Sequence, residues 1–249
     1  MTHHFFLPGI KSGRKAVLTG PDGHHAVRVL RLKAGEEVTL ADGCGKCYRA
    51  EVVALKGGTV ELNVLAELPG SEAPIEVILL QGLPKGDKMD FIIEKCTELG
   101  VGQIWVLQTE RVIPKLDAAG ERRRLSRWRR KAEAAACQSR RGRIPVVEGL
   151  YDLETALARL APDTFLLVPW EKKGGLDLRY ALDSVAAGRP LAVLIGPEGG
   201  LSEREVEKAR QAGGLVVSLG PRILRTETAG LVCLAAIMYE LGDLGCARR

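Results

Sequence analysis

Histidine is nearly missing from this 249-residue chain, and all four copies lie within the first 25 residues. A Ser-His or Cys-His nucleophile in the C-terminal part is thereby excluded. No Asp/Glu/His set is grouped as metal ligands either, so no metal site is expected. Two common phosphate-cradling motifs, G-x-G-x-x-G after a strand and G-x-x-x-x-G-K-[ST], are also absent. No apolar run approaches the roughly 18 residues that a membrane helix needs. The opening MTHHFFLPGIKSG lacks the long apolar core of a secretory signal. A cytoplasmic protein without membrane segments is therefore expected. The six cysteines (Cys44, Cys47, Cys96, Cys137, Cys233, Cys246) are scattered, which predicts buried thiols rather than a disulfide framework. Cys44 and Cys47 have zinc-knuckle spacing, but no second pair follows, and a turn in a small barrel is the preferred reading.

What the chain does have is a concentration of positive charge. The formal net charge is only +5. Between Lys115 and Arg143, however, eleven Lys/Arg face three acids, a local +8, so the remainder is about −3. A polyanion is the natural partner of such a patch. Hydrophobic residues make up 46% and mean hydropathy is +0.01, ordinary for a globular chain long enough to bury its own core.

Short alternating runs fill the first 70 residues (Glu36 to Leu40, Tyr48 to Leu55, Thr59 to Leu65), separated by Asp42-Gly43 and Gly57-Gly58. This is the pattern of a small antiparallel barrel. One helix is expected from Asp22, as its cap, to Leu32, with Val29, Leu30 and Leu32 partly buried. Arg28, Arg31 and Lys33 alternate with them, either as a solvated face or as contacts to RNA. Pro69-Gly-Ser-Glu-Ala-Pro74 reads as a linker. From Ile75 the pattern becomes strand alternating with helix. Strands are expected at Ile75–Leu80, Gln103–Gln108 and Phe165–Trp170, and helices at Lys85–Leu99 and Glu121–Ser139. On the second helix Leu125, Trp128, Ala132, Ala135 and Ala136 share one face. Such alternation implies an α/β fold with a mostly parallel sheet.

Two almost wholly apolar runs, Leu191 to Ile195 and Leu215 to Leu219, are each followed at once by a Gly-Pro loop. Runs of this kind suit strands buried on both faces of a parallel sheet. Ligands in open α/β sheets bind beyond the carboxyl ends of such strands. The loops Gly196–Gly200 and Gly220–Arg225 would meet there. Ser202 with Glu205 reads as a capping box, Gly213 as the stop of that helix, and Thr226 as the cap of the last helix. Together the two loops and their flank carry Glu198, Arg222, Arg225 and Glu227, more charge than tight turns require.

The segments IGPEGGLSEREV and LGPRILRTETAG resemble the cofactor-binding end of the SPOUT methyltransferases. The match is best to the subfamily that methylates N3 of a uridine in small-subunit ribosomal RNA (RsmE type). KGDKMDFIIEKCTELGV, QSRRGRIP and HHAVRVLRLKAGEEVTLADG resemble the same subfamily, in the same order along nearly the whole chain. The resemblance implies a PUA-like RNA-binding β-barrel over residues 1–70 and a deeply trefoil-knotted SPOUT domain over residues 74–249. The knot comes from the resemblance alone, since connections in folds are generally unknotted. It further implies S-adenosylmethionine as cofactor, ribosomal RNA or the small ribosomal subunit as partner, and a homodimer. Cofactor contacts are then expected from Gly196, Glu198, Gly199, Leu219, Gly220, Ile223, Leu224, Arg225 and Thr226, with Leu167 and Val168 completing an adenine pocket. Arg225 would stabilise charge on the uracil oxygens. Glu198 or Glu227 would take the N3 proton, or instead hydrogen-bond loop amides or a helix N-terminus. RNA contacts are expected at Arg28, Arg31, Arg111, Lys115, Gln138, Arg140 and Arg143. Ribose 2′-O-methylation and a non-catalytic ribosomal-RNA-binding assembly factor are the competing readings.

Overall fold

The computed structural model describes residues 2–112, 117–172, 175–186 and 188–245. The chain divides into two compact units, one of residues 1–72 with 136–144, the other of residues 73–135 with 145–249.

The first unit is built on five strands: β1 (His3–Phe6), β2 (Lys15–Leu18), β3 (Glu37–Ala41), β4 (Cys47–Lys56) and β5 (Thr59–Leu68). They form one sheet in the order β1-β3-β4-β5-β2. Alternating burial along β2 and β5 puts Leu18, Val60, Leu62 and Val64 into a core with Leu40 and Val52. The β4–β5 hairpin turns at Gly57 and Gly58, whose φ values of 59° and 87° only glycine adopts without strain. The expected antiparallel pattern needs one correction, because β1 pairs with β3 in parallel. His3–Phe6 precedes the first turn signal and carries no hairpin partner of its own.

The expected helix from Asp22 to Leu32 is also corrected. Helix α1 is Gly20–His24, with Pro21 in its first turn, and runs directly into one π-helical turn, His25–Val29. It ends because Arg31 adopts a φ of 54°. Val29, expected to be partly buried, is 65% exposed. Cys44 and Cys47 flank a turn in which Asp42 Oδ1 accepts from the amides of Cys44 and Lys46. The presumed linker is tied down within this unit. Glu72 Oε2 accepts from Arg141 Nη2 at 2.6 Å and from Nε at 3.2 Å, and Glu72 Oε1 accepts from the Arg143 amide. Arg141, one of the patch arginines, is only 5% exposed.

The second unit carries a seven-stranded sheet. Its elements are β6 (Val77–Gly82), α2 (Lys88–Glu98), β7 (Gln103–Leu107), α3 (Ala118–Gln138), β8 (Val146–Tyr151), α4 (Leu153–Arg159) and β9 (Phe165–Pro169), then β10 (Leu176–Asp177), α5 (Leu178–Asp183), β11 (Leu191–Ile195), α6 (Glu203–Gln211), β12 (Leu215–Ser218) and α7 (Thr226–Glu240). The order is β10-β12-β9-β11-β6-β7-β8, and every pairing is parallel. β11 lies in the middle with all five residues buried, as an unbroken apolar strand should. Ile92 and Ile93 of α2, Trp128 of α3 and Ile237 of α7 join the core on one face of the sheet. Leu153 and Ala156 of α4 and Val206 and Ala209 of α6 join the core on the other. Crossovers on both faces are what a parallel sheet needs for burial.

Candidate functional site

β11 and β12 end side by side with β9, and the two Gly-Pro loops fold against each other beyond their carboxyl ends. The first tie between them is buried. Thr226 is the first residue of α7 rather than its cap, a place taken by Arg225. Its hydroxyl donates to the Gly196 carbonyl at 2.6 Å and accepts from Gln81 Nε2 at 2.9 Å. Gln81 is fully buried near the end of β6, a polar residue in an otherwise apolar strand. Close backbone approach completes the arrangement. A Cβ on Gly82 would lie 2.7 Å from the Pro197 ring, and one on Gly196 would lie 2.7 Å from the Gly200 carbonyl carbon.

The loops line a cleft of about 430 Å³ with a smaller side lobe of about 100 Å³. Gly196, Glu198, Gly199, Arg225 and Thr226 line the larger space, Leu219 and Gly220 the side lobe, and Ile223 and Leu224 both. Leu167 and Val168 are both fully buried, one in each core of the sheet, and are not among the residues lining the cleft. β9 ends one residue beyond Val168, and Pro169, Trp170 and Glu171 form that wall of the cleft. Ile223 is 84% exposed at the rim, an apolar side chain held open to solvent.

A second, charged tie spans the mouth. Glu198 accepts from the Lys85 amide at 3.0 Å and pairs with Lys88 Nζ at 3.0 Å. The same Nζ lies 3.3 Å from Glu227 Oε2, and Arg225 Nη1 lies 4.0 Å from Glu227 Oε1. Burial pushes the Glu198 carboxyl up, but hydrogen bonds from its own amide, Lys88 and the Lys85 amide outweigh this and hold it below the usual glutamate range. A carboxylate so satisfied is a weak base. Glu227 is mostly buried and is not among the residues lining the cleft. Lys88 and Gln81, which close both ties, carry no periodic signal in the sequence.

α6 starts as expected. Ser202 and Glu205 form the reciprocal capping box, and Gly213 follows the helix with a φ of 86°. Glu205 is buried, and its second oxygen accepts from the Glu110 amide at 2.8 Å. Next to it Arg111 Nη1 donates to the Gly199 carbonyl at 2.6 Å, so this residue, expected to meet RNA, already touches the first loop.

The arginine run on α3 is partly used by the chain itself. Arg127 pairs with Asp87 and Asp90, Lys131 pairs with Glu94, and Arg129 Nε donates to the Val147 carbonyl. Arg122 and Arg123 are exposed, with no ion pair among the described residues. Arg28, Arg31, Gln138 and Arg140 are exposed in the first unit, and Arg143 there is half-buried. Lys115 lies outside the described residues. Among the described residues no group of three or more His, Cys, Asp or Glu is placed to hold a metal.

A family model described as an RNA methyltransferase domain matches residues 71–238, and one described as an RNA methyltransferase PUA domain matches residues 18–65. The ribosomal RNA small subunit methyltransferase E of Bacillus subtilis (strain 168) is 36% identical over 228 residues, covering 90% of this chain and 89% of that protein. Its namesake in Mycobacterium bovis is 34% identical over 232 residues, covering 91% and 87%. Among solved structures, a ribosomal RNA small subunit methyltransferase E from Neisseria gonorrhoeae bound to S-adenosyl methionine aligns with a TM-score of 0.86 at 32% identity, over 98% of this chain and 100% of that one.

Proposed function

The chain belongs to the SPOUT RNA methyltransferase family that includes these ribosomal RNA small subunit methyltransferases E, and on that premise we propose that it transfers the methyl group of S-adenosylmethionine to N3 of a uridine in small-subunit ribosomal RNA. The observation that carries the reading is the meeting of two glycine-rich loops in one cleft at the carboxyl ends of parallel strands. The cleft's volume falls within the range of about 300–1,000 Å³ typical of small-molecule sites. Its walls are mostly backbone and apolar side chains, and the buried indole N–H of Trp170 has no hydrogen-bond partner among the described residues, so a polar nucleoside fits the lining. Gly196, Gly199, Leu219, Gly220, Ile223, Leu224 and Thr226 would hold the cofactor. When bound, its sulfonium supplies a methyl group that is already activated.

The chain's own residues then have to orient the acceptor and manage one proton. The Arg225 guanidinium is 83% exposed at the head of α7, free to face the uracil oxygens as N3 loses its proton. Glu198, lined up in the cleft but already satisfied, suits the structural reading of that residue better than the role of proton acceptor. Among the described residues Glu227 Oε1 has the Arg225 guanidinium 4.0 Å away and no hydrogen-bond partner.

The same proposal takes residues 1–70 as an RNA-binding barrel and 74–249 as the catalytic domain, with the chain after Leu219 threaded as a knot. Arg28, Arg31, Gln138, Arg140, Arg143, Arg111 and Lys115 are its RNA contacts. It also takes the enzyme as a cytoplasmic homodimer. Thr228, Val232, Ala235 and Tyr239 recur at helical spacing on α7, and Val232 and Tyr239 are 41% and 70% exposed, an apolar stripe suited to a second copy. No helix among the described residues is long and apolar enough to cross a membrane. Nucleoside mass spectrometry of ribosomal RNA incubated with enzyme and S-adenosylmethionine tests the reaction. 3-Methyluridine is expected; a 2′-O-methyl nucleoside would refute the acceptor, and no cofactor binding by calorimetry would refute the enzyme.

A further inference from the structure

Lys88 stands where three elements meet. It sits in the first turn of α2 and lines the cleft. Its ammonium lies 3.0 Å from Glu198, in the loop after β11, and 3.3 Å from Glu227, in the first turn of α7. The row Lys85 N–H, Glu198, Lys88, Glu227, Arg225 alternates donor and carboxylate across the cleft mouth. Without Lys88, Glu198 would face a cationic ligand held by backbone amides alone, and Glu227 behind it would keep only the distant Arg225. Glu171 is the other acid lining the same cleft.

We propose that Lys88 is a positioning residue that clasps the two Gly-Pro loops through Glu198 and Glu227, fixing the cleft's width for the adenosyl sulfonium and holding the Glu198 carboxylate in place. The inference rests on the cofactor reading above. The buried Gln81–Thr226–Gly196 tie keeps the loops joined when the clasp is removed, so a Lys88 variant should fold and still be informative. One amide reports the clasp without any cofactor: Lys85 N–H, whose acceptor is Glu198.

The test compares wild type with K88M, K88R, E198Q/E227Q and K88M/E198Q/E227Q. Hydrogen exchange of the peptide containing Lys85 is followed in the ligand-free chain, and S-adenosylmethionine affinity by calorimetry. K88M should exchange the Lys85 amide at least fivefold faster and bind cofactor at least tenfold more weakly. K88R, which keeps a cation in place, should recover to within about threefold of wild type. In the E198Q/E227Q background K88M should add less than twofold, because its partners are gone. Unchanged Lys85 exchange in K88M, or a tenfold affinity loss that persists in the glutamine background, overturns the clasp while leaving the cofactor reading intact. A wild-type chain that binds no S-adenosylmethionine overturns both.

Discussion

Replacing Thr226 with valine changes one hydroxyl to a methyl group of nearly the same shape. That hydroxyl donates to the Gly196 carbonyl and accepts from Gln81, whose side chain is fully buried. The substitution leaves a Gln81 N–H with no acceptor and a half-buried carbonyl with no donor. Orphaning a buried polar group costs about 1–3 kcal/mol. With Gly196 partly able to reach water, the sum should be about 2–3 kcal/mol. For a chain of this size that lowers the melting temperature by roughly 4–12 °C. Thermal denaturation followed by circular dichroism measures it directly. The companion variant Q81L/T226V removes the orphaned amide but leaves the Gly196 and Gly82 carbonyls without their side-chain donors, so it should cost clearly less than the sum of the two single losses. If T226V melts within a degree or two of wild type, or if the double variant loses the sum of both single losses, the loops are not held together by this pair.

Four further outcomes follow from particular contacts. G82A places a Cβ 2.7 Å from Pro197, so it should destabilise by about 1–3 kcal/mol through overpacking, read by urea denaturation. R141M leaves the Glu72 carboxylate without the guanidinium now 2.6 Å away and should cost about 3–5 kcal/mol, with R141M/E72M recovering much of it. In RNA-binding titrations R122A/R123A should reduce the salt slope by about 0.7–0.9 per lost phosphate contact. R127A, already engaged with Asp87 and Asp90, should leave the slope unchanged. Glu198 titrates below an ordinary glutamate. Its contribution to stability is therefore complete above the ordinary glutamate range and disappears as the pH falls through its lowered value. E198Q should accordingly show less acid destabilisation than wild type below a pH of about 4.

Local signals in the sequence reach as far as local structure does. Leu191–Ile195 is readable as a buried strand because an unbroken apolar run has few alternatives, and its ends match those of β11. Ser202 and Glu205 announce the start of α6 because a capping box is complete within four residues. The two Gly-Pro loops are readable as neighbours from strand logic alone. What holds them is not. Gln81 lies 145 residues from Thr226, and Lys85 lies 113 residues from Glu198. No periodicity links residues so far apart. That the cleft wall begins at Pro169, just beyond the buried Leu167 and Val168, is not legible because composition does not say how far a strand extends past its core. The parallel pairing of β1 was missed because it depends on a partner outside its own segment, and the π turn of His25–Val29 because side-chain periodicity does not tell an i→i+5 bond from an i→i+4 one. The burial of Arg141 hides inside a run of arginines that reads as uniform surface.

The position of β11 has a consequence for how the protein is made. The strand lies between β6 and β9, yet it leaves the ribosome after both. Until residues 191–195 emerge, a nascent chain holds two long-separated strands with nothing to pair their facing edges. Unpaired, strongly apolar edges of this kind invite association between chains. Synthesis halted before Leu191 should therefore yield a product that clings to chaperones, whereas a few dozen more residues close the sheet from its centre outward.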